Sequence, residues 1–525
     1  MLGRTYTAAL DGIQGNMISV EVNLAKGIPN THIIGSTDNV IKESIERIRS
    51  TISNTGLKFP LCRMTINLAP ADIKKRGSHY DLPISVALLS ASDLVNVKIN
   101  LKDYAFFGEL SLDGQVNHVR GLLPLAMCAE ENGIKNVVVP YDNRFEVSLL
   151  EKSNIIVVNT FSDVIDILMG REKNYQMNIL EMRNQREEDG KESMDFDQVY
   201  GQENIKRAMV VAGAGGHSML MIGSPGTGKS MMAQRFVDIL PPLSYDEQVE
   251  ITKVHSVGGI MKTGKPLVTK RPFRFPHTSI TYAGFYGGGS DVKPGEISYA
   301  HKGVLFLDEL QEMDNRIIQS MRLPLEEKKI HLVRNRQSYT YPADFILIAA
   351  ANPCKCGYRG DQKHKCTCSK SQIKQYYDRL SGPFVDRIDM HLRMNPINYY
   401  TIEKKEQGMN TMQMRQMVIN ARVVQQKRYK NEDFDLNGQL DDEGIKKYII
   451  LNKKCNIFME EIFDKMALSI RGYNRILKVA RTIADLDSKK DIEIEHIAEA
   501  FQYRNIKELS RCANLEDEPK DKQAK

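Results

Sequence analysis

Residues 223–230 read Gly223-Ser224-Pro225-Gly226-Thr227-Gly228-Lys229-Ser230, and this octapeptide constrains the chain more than any other stretch. It fits the phosphate-loop pattern G-x-x-x-x-G-K-[ST]. An apolar run, Met219 to Ile222, enters it as a candidate buried strand, and Ser230 to Ile239 leaves it as a candidate helix. Glycines let such a loop turn tightly, so that successive backbone N–H groups point at phosphates. The positive end of the helix adds to that field. Lys229 would reach the β- and γ-phosphates, and Ser230 would hold Mg²⁺. Further along, Gly303-Val304-Leu305-Phe306-Leu307 runs as a second buried strand into adjacent Asp308 and Glu309. Asp308 suits the Mg²⁺ shell and Glu309 suits polarisation of an attacking water. The two segments together predict hydrolysis of a nucleoside triphosphate, with ATP and Mg²⁺ as the expected cofactors.

A chain of 525 residues is too long for one hydrophobic core and predicts two to four domains. With 42% hydrophobic and 26% charged residues, the composition is that of a soluble globular protein. No apolar run is long enough to span a bilayer. Met1-Leu2-Gly3-Arg4-Thr5-Tyr6 has no apolar signal core, so the expected location is cytoplasmic. A net charge of +6 permits a polyanionic partner without demanding one. Cysteines in such a setting argue against disulfides. Cys62, Cys128 and Cys455 sit among apolar neighbours and are expected to be inert core thiols, while Cys512 has no assignable role.

Residues 1–170 read as an α/β unit. Ile18, Val20, Val22 and Leu24 alternate with polar residues as in a half-buried strand, and Ile41, Ile45, Ile48 and Ile52 follow helical spacing. Asn136 to Pro140 and Asn154 to Asn159 look like short buried strands. Residues 171–195 have the polar composition of a linker. Residues 196–393 hold the nucleotide motifs, residues 394–512 read as helical, and 513–525 as a disordered tail. In the helical part Phe458, Ile462, Met466 and Ile470 recur every four residues, and Tyr473, Ile476, Leu477, Ala480, Ile483 and Ala484 mark an apolar face.

Phe345 to Asn352 is a further buried strand ending on a polar amide. The carboxyl ends of strands face the ligand crevice in open α/β sheets, so Asn352 would orient the lytic water, or else simply turn the chain before Pro353. Arg387, in Asp386-Arg387-Ile388-Asp389, is either a strut for its neighbouring carboxylates or a finger reaching the ATP of an adjacent subunit. Arg471 is either a sensor of the γ-phosphate or a solvated surface residue. Cys354, Cys356, Cys366 and Cys368 form C-x-C-x9-C-x-C around His364, a set suited to tetrahedral Zn²⁺, with free thiols as the other reading. Basic Lys355, Arg359, Lys363, Lys365 and Lys370 surround it.

The interval between the two nucleotide segments carries Lys262, Lys265, Lys270, Arg271, Phe273, Arg274, Phe275, Phe285 and Tyr286 among mobile glycines. Cations meet phosphates and flat rings stack on bases, so these residues are candidates for gripping a nucleic acid strand. Ile330 to Tyr341 reads as a hairpin with Arg334 and Arg336 at a basic tip. The alternative is a set of solvated loops whose aromatics pack on the core.

Taken together, Asn67-Leu-Ala-Pro-Ala-Asp72, Gly77-Ser-His-Tyr-Asp-Leu-Pro83, Gly108-Glu-Leu-Ser-Leu-Asp-Gly114, Val199-Tyr-Gly-Gln202, both nucleotide segments, Pro294-Gly-Glu-Ile-Ser298, Asn352-Pro-Cys-Lys-Cys-Gly357 and Ser469-Ile-Arg-Gly-Tyr473 give the chain its family likeness. It resembles magnesium-chelatase-like AAA+ ATPases of the ComM/YifB type from near its start to about residue 506. The resemblance implies a Lon-protease-like (S5 domain 2-like) α/β domain, an AAA+ P-loop core and an α-helical lid, assembled as a homo-hexameric ring. It implies Asn352 as sensor 1, Arg387 as the trans arginine finger, Arg471 as sensor 2 and Gln202 near the adenine. Insertions of this kind line the pore in such motors. The implied function is a DNA helicase or branch-migration translocase in recombination of incoming DNA, with recombination proteins as possible partners. A remodeller of a protein partner is the alternative. Peptidase activity is not expected: the Gly121-Leu-Leu-Pro-Leu-Ala-Met segment lacks the lysine of the Lon dyad, and Ser78 and His79 are merely adjacent in sequence.

Overall fold

The computed structural model describes residues 1–171, 195–261, 267–289, 291–334, 337–361, 364–380, 384–396, 408–466 and 468–504. The expected linker falls almost wholly outside the described residues, as do Lys262, Lys265, Arg336, Lys363, Cys512 and the expected tail.

The alternating pattern at the N-terminus builds a mixed sheet. Its strands are β1 (Leu2–Asp11), β2 (Gln14–Ala25), β3 (Asn30–Ile34), β4 (Arg63–Ala69), β5 (Tyr104–Phe106), β6 (Asn136–Pro140) and β7 (Asn154–Val158), in the spatial order β3-β4-β2-β1-β5-β6-β7. Ile18, Val20 and Val22 point to the buried side of β2, while Ser19, Glu21 and Asn23 face the other way. Helix α1 (Asn39–Asn54) lays Ile41, Ile45, Ile48 and Ile52 on the same core, and Asp38 caps it by accepting from the Ile41 amide at 3.1 Å. Helices α2 (Asp81–Ser92) and α3 (Leu122–Glu131) pack on β1 and β2.

The second sheet is five-stranded and parallel, as expected where apolar runs are buried on both faces. Helix α4 (Glu203–Gly215) precedes β8 (Met219–Gly223), and α5 (Lys229–Ile239) and α6 (Tyr245–Gly258) follow it. With β9 (Phe273–Arg274), β10 (Val304–Leu307), β13 (Ile346–Ala351) and β14 (Met390–Met394), the order is β9-β10-β13-β8-β14. Between β10 and β13 in sequence lies an antiparallel hairpin, β11 (Lys329–Arg334) and β12 (Gln337–Pro342), with Arg334 paired to Gln337 at its tip. This is the hairpin expected from the pattern.

The N-terminal unit docks on that hairpin and on α6. Leu10 and Ile13 pack against Val257, Tyr339 and Tyr341. Gly12 sits at φ +61°, where a Cβ would stand 2.7 Å from the Thr340 carbonyl oxygen, so both backbone geometry and space require glycine. The Arg76 guanidinium lies over the Tyr339 ring, and the Ser256 hydroxyl donates to the buried Glu146 carboxylate at 2.6 Å.

Four longer helices, α7 (Thr411–Arg428), α8 (Lys453–Met466), α9 (Ile470–Leu486) and α10 (Ile494–Gln502), share a hydrophobic cluster with α4, β8 and α5. The apolar face of α9 is buried through Ile476, Leu477, Ala480, Ile483 and Ala484, as read from sequence. The four-residue repeat from Phe458 does not extend to Ile470, which is 73% exposed. Ser469 interrupts it, because its hydroxyl caps a new helix by accepting from the Gly472 amide at 3.1 Å. Cys128 and Cys455 are buried thiols, whereas Cys62 is only half-buried, beside exposed Leu61. Among the described residues no helix is long and apolar enough to cross a membrane.

Candidate functional site

The site forms where β8, β13 and β10 end side by side, because β13 lies between the other two strands. The loop after β8 takes Gly226 to φ +79° and Gly228 to φ +89°, and Gly228 caps α5. Gly223 lies so close to the Met394 carbonyl that a Cβ would approach it to 2.8 Å. Thr227 closes the loop through its hydroxyl to the Ser224 carbonyl at 2.9 Å. Lys229 Nζ donates to the carbonyls of Gly223 (2.7 Å) and Ser224 (3.1 Å) and to Asn352 Oδ1 (3.2 Å). Burial lowers the proton affinity of this amine, with Asp308 and Glu309 opposing the shift. Ser230 Oγ donates to Asp308 Oδ2 at 2.7 Å. Glu309 is exposed in the left-handed region at φ +46°, and its amide donates to Asp308 Oδ1 at 2.9 Å. Pro225 lies within the loop. The geometry thus gathers a lysine, a hydroxyl, two carboxylates and an amide around one helix N-terminus, a set able to hold a nucleoside polyphosphate with a divalent cation.

Three other sequence-chosen residues have no contact with these groups among the bonds just described. Gln202, at φ +59° before α4, donates through Nε2 to the Asn395 carbonyl at 2.7 Å. Arg387 is buried, and its Nε donates to Glu326 Oε1 at 2.8 Å. Arg471 is exposed in the first turn of α9.

A node that sequence reading missed joins β14 to the helical part. Asp389 accepts from the Ser218 amide (2.8 Å) and hydroxyl (2.9 Å), and it pairs with Arg475 of α9. The carboxyl is fully buried, but Arg475, His217 and Lys478 outweigh the cost of burial and hold its pKa well below the usual carboxylate range. Both residues stand in segments that the sequence had singled out, but nothing in either spelled their pairing.

The four cysteines converge. The Sγ atoms of Cys354, Cys356, Cys366 and Cys368 all lie within 4.8 Å of one another. Cys354 to Cys366 is 3.7 Å and Cys356 to Cys366 is 3.5 Å. A tetrahedron with Zn–S bonds of about 2.3 Å has edges of about 3.8 Å, so the donor set fits Zn²⁺ in both chemistry and size. His364 instead faces Asp361 at 3.5 Å.

Several candidate nucleic-acid contacts require correction. Tyr286 is 4% exposed, donates its hydroxyl to the Ile317 carbonyl at 3.2 Å and stacks on Tyr282, which leaves no face for a base. Phe285 is wholly buried. Arg271 is committed to the Glu247 carboxylate and to the carbonyls of Pro241 and Lys302. Arg274 forks onto Glu296 with two bonds of 2.6 Å. Lys270 and Arg334 are exposed, as are the rings of Phe275 and Tyr282.

Ser78 and His79 form no dyad. The Ser78 hydroxyl donates to Glu109, whereas His79 Nε2 meets the Ala8 carbonyl at 3.0 Å, and burial pushes its pKa down to about 4. Lys75 is buried with its amine on the Pro70 carbonyl.

Replacing Asp389 with Ala should destabilise the fold by about 3–5 kcal/mol, the usual cost of leaving one member of a buried ion pair alone. Its depressed pKa stabilises the fold fully above the ordinary aspartate range near pH 4, and that contribution is lost as pH falls below it. Urea denaturation at several pH values checks both. The gap between parent and Asp389→Asn should narrow in acid.

Comparison with known proteins agrees with this architecture. The family described as magnesium chelatase, subunit ChlI, matches residues 195–402, and its further segments match residues 20–143 and, as the C-terminal part, 408–504. YifB of Salmonella typhimurium, an uncharacterised protein, is 38% identical over 97% of this chain and 98% of its own length. Competence protein ComM of Haemophilus influenzae is 36% identical over 98% of this chain and 100% of its own. Lon protease of Geobacter metallireducens is 26% identical over 30% of this chain and 20% of its own. The near-complete coverage by ComM and YifB places this chain in the ComM/YifB family of magnesium-chelatase-like proteins.

Proposed function

We propose that the chain is an ATP-driven, ring-forming motor on DNA, a helicase or branch-migration translocase that acts in recombination of incoming DNA. The observation that carries the ATPase part is the convergence of Lys229, Ser230, Asp308, Glu309 and Asn352 at the ends of three parallel strands. Lys229 and the loop amides bind the phosphates, and Ser230 with Asp308 would hold Mg²⁺. A divalent cation held there would supply charge compensation for the phosphates. Glu309 takes the proton of the attacking water, and Asn352 orients that water. Gln202 borders the adenine, and Arg471 senses the γ-phosphate from the lid. Arg387 rests on Glu326 and serves the ATP of a neighbouring subunit in a hexamer. The four cysteines hold one structural Zn²⁺.

DNA as the substrate is supported by the competence named for the Haemophilus influenzae relative and by the exposed arginine at the hairpin tip. The gripping set is narrower than the sequence suggested: Arg334, with Arg336, Lys262 and Lys265 beyond the described residues, plus exposed Lys270. The rival reading, a remodeller of a protein partner, uses the same ATP site.

Lys229→Ala should abolish binding of a fluorescent ATP analogue. Glu309→Gln should bind it like the parent yet lower phosphate release by about 10²-fold or more. Full turnover in Glu309→Gln would refute the assignment of the base.

Mixing Arg387→Ala subunits with Lys229→Ala subunits should restore part of the turnover, since the two defects fall on opposite sides of an interface. No recovery in rings shown by mass to be mixed would make Arg387 a strut within its own chain.

Removing Arg334 should weaken binding to all DNA sequences alike and flatten the log–log salt dependence by about one unit. An unchanged slope would take the hairpin tip off the DNA path.

A further inference from the structure

The cysteine loop touches the phosphate loop. Gly357, one residue past Cys356, is buried at φ +85°, and a Cβ there would stand 2.7 and 2.8 Å from Cδ and Cγ of Pro225. The contact is backbone against one face of the Pro225 ring, with no side chain between them, while the rest of the ring is exposed. The Gly357 amide donates to the Cys354 carbonyl at 2.9 Å, so the turn that carries this contact is closed on the first thiol ligand itself. Cys354 is fully buried and lies two residues after Asn352, whose Oδ1 receives the Lys229 amine. On the far side of the cluster, Cys368 Sγ accepts from the Cys356 amide at 3.3 Å. The helix Lys370–Leu380 then begins, and its Tyr376 hydroxyl donates to the Asn352 carbonyl at 2.8 Å. Both strands of chain that leave the cluster therefore return to Asn352, and its first turn leans on Pro225.

We propose that the four-cysteine loop is a metal-dependent brace of the phosphate loop: the thiolate-bound ion holds Gly357 against Pro225 and Asn352 against Lys229, so that nucleotide affinity depends on the metal. This makes Gly357 and Pro225 positioning residues, and it rests on the ATPase reading given above. Without an ion, four thiols have no reason to stay within one small tetrahedron, because thiolates repel and a thiol is a weak hydrogen-bond partner. Residues 354–357 would then relax, and the contact with Pro225 would go with them.

The test uses the full-length protein prepared under reducing conditions without chelator. Zinc content by elemental analysis, affinity for a fluorescent ATP analogue and amide exchange over residues 223–230 are measured together. The forms compared are the parent, the parent stripped of zinc, Gly357→Ala, Pro225→Ala, and Gly357→Ala combined with Pro225→Ala. The parent should hold one zinc per chain, and stripping it should weaken nucleotide binding by about tenfold or more, as expected for a small misplacement of binding groups. Exchange at 223–230 should quicken. Gly357→Ala should weaken binding similarly, and trimming the Pro225 ring should recover part of it, a non-additive effect diagnostic of direct contact. The brace is overturned if the parent carries no zinc, or if stripping changes affinity by less than about twofold and leaves exchange at 223–230 unaltered. Weakening in Gly357→Ala without recovery in the double variant overturns Gly357–Pro225 contact as the route. Should the zinc-bearing parent bind no nucleotide at all, the ATPase reading fails separately. Exchange at 223–230 then decides the brace: quickened on stripping upholds it, unchanged overturns it.

Discussion

Two side-chain hydrogen bonds, Lys229 to Asn352 and Ser230 to Asp308, tie the ends of three parallel strands to the start of one helix. The rest of the nucleotide core is arranged to make them possible. The strands must be buried on both faces, which the uninterrupted apolar runs of β8, β10 and β13 permit. β13 must run between the other two, so that its terminal amide reaches the lysine. The lysine must turn back over its own loop, which the left-handed glycines at 226 and 228 allow. A buried ammonium group with three oxygen acceptors around it is a costly arrangement in an apolar sheet, and it makes physical sense at a place built for anions.

The same core is held from two other directions. Asp389 links the start of β8 to α9 through Ser218 and Arg475, while Arg504 donates to the carbonyls of Asp386 and Ile388. The short segment that carries Arg387 is thus held on both sides by the helical part. The N-terminal unit in turn grips the hairpin that presents Arg334, through Leu10, Gly12 and Arg76. Its Ser78 and His79 look at other partners. The unit reads physically as a support for the hairpin.

Local signals were legible in the sequence, and pairings across the chain were not. Alternation in β2, the apolar runs before Gly223 and Asp308, the hairpin from residue 330 and the convergence of four cysteines each depend on spacing within a few residues or on strong ligand chemistry. A cation, by contrast, does not announce its partner. Arg274 and Glu296 are 22 positions apart, and Asp389 and Arg475 are 86 apart, so a basic, aromatic-rich segment looked like a grip where much of it is internal glue. The burial of Tyr286 was hidden in the same way, because its hydroxyl ends on the Ile317 carbonyl, 31 positions further along. The approach of Gly357 to Pro225 had no sequence signal, because a glycine needed for space looks like any other glycine.

The central claim is that the ATP site drives movement on DNA. ATP turnover by the purified chain, measured alone, with four-way or forked DNA, and with unfolded protein as a control, tests it most directly. Slow basal turnover should rise severalfold with branched DNA in the parent, and Glu309→Gln should stay about 10²-fold or more below it. Turnover that ignores every DNA form and responds only to protein would contradict the central claim.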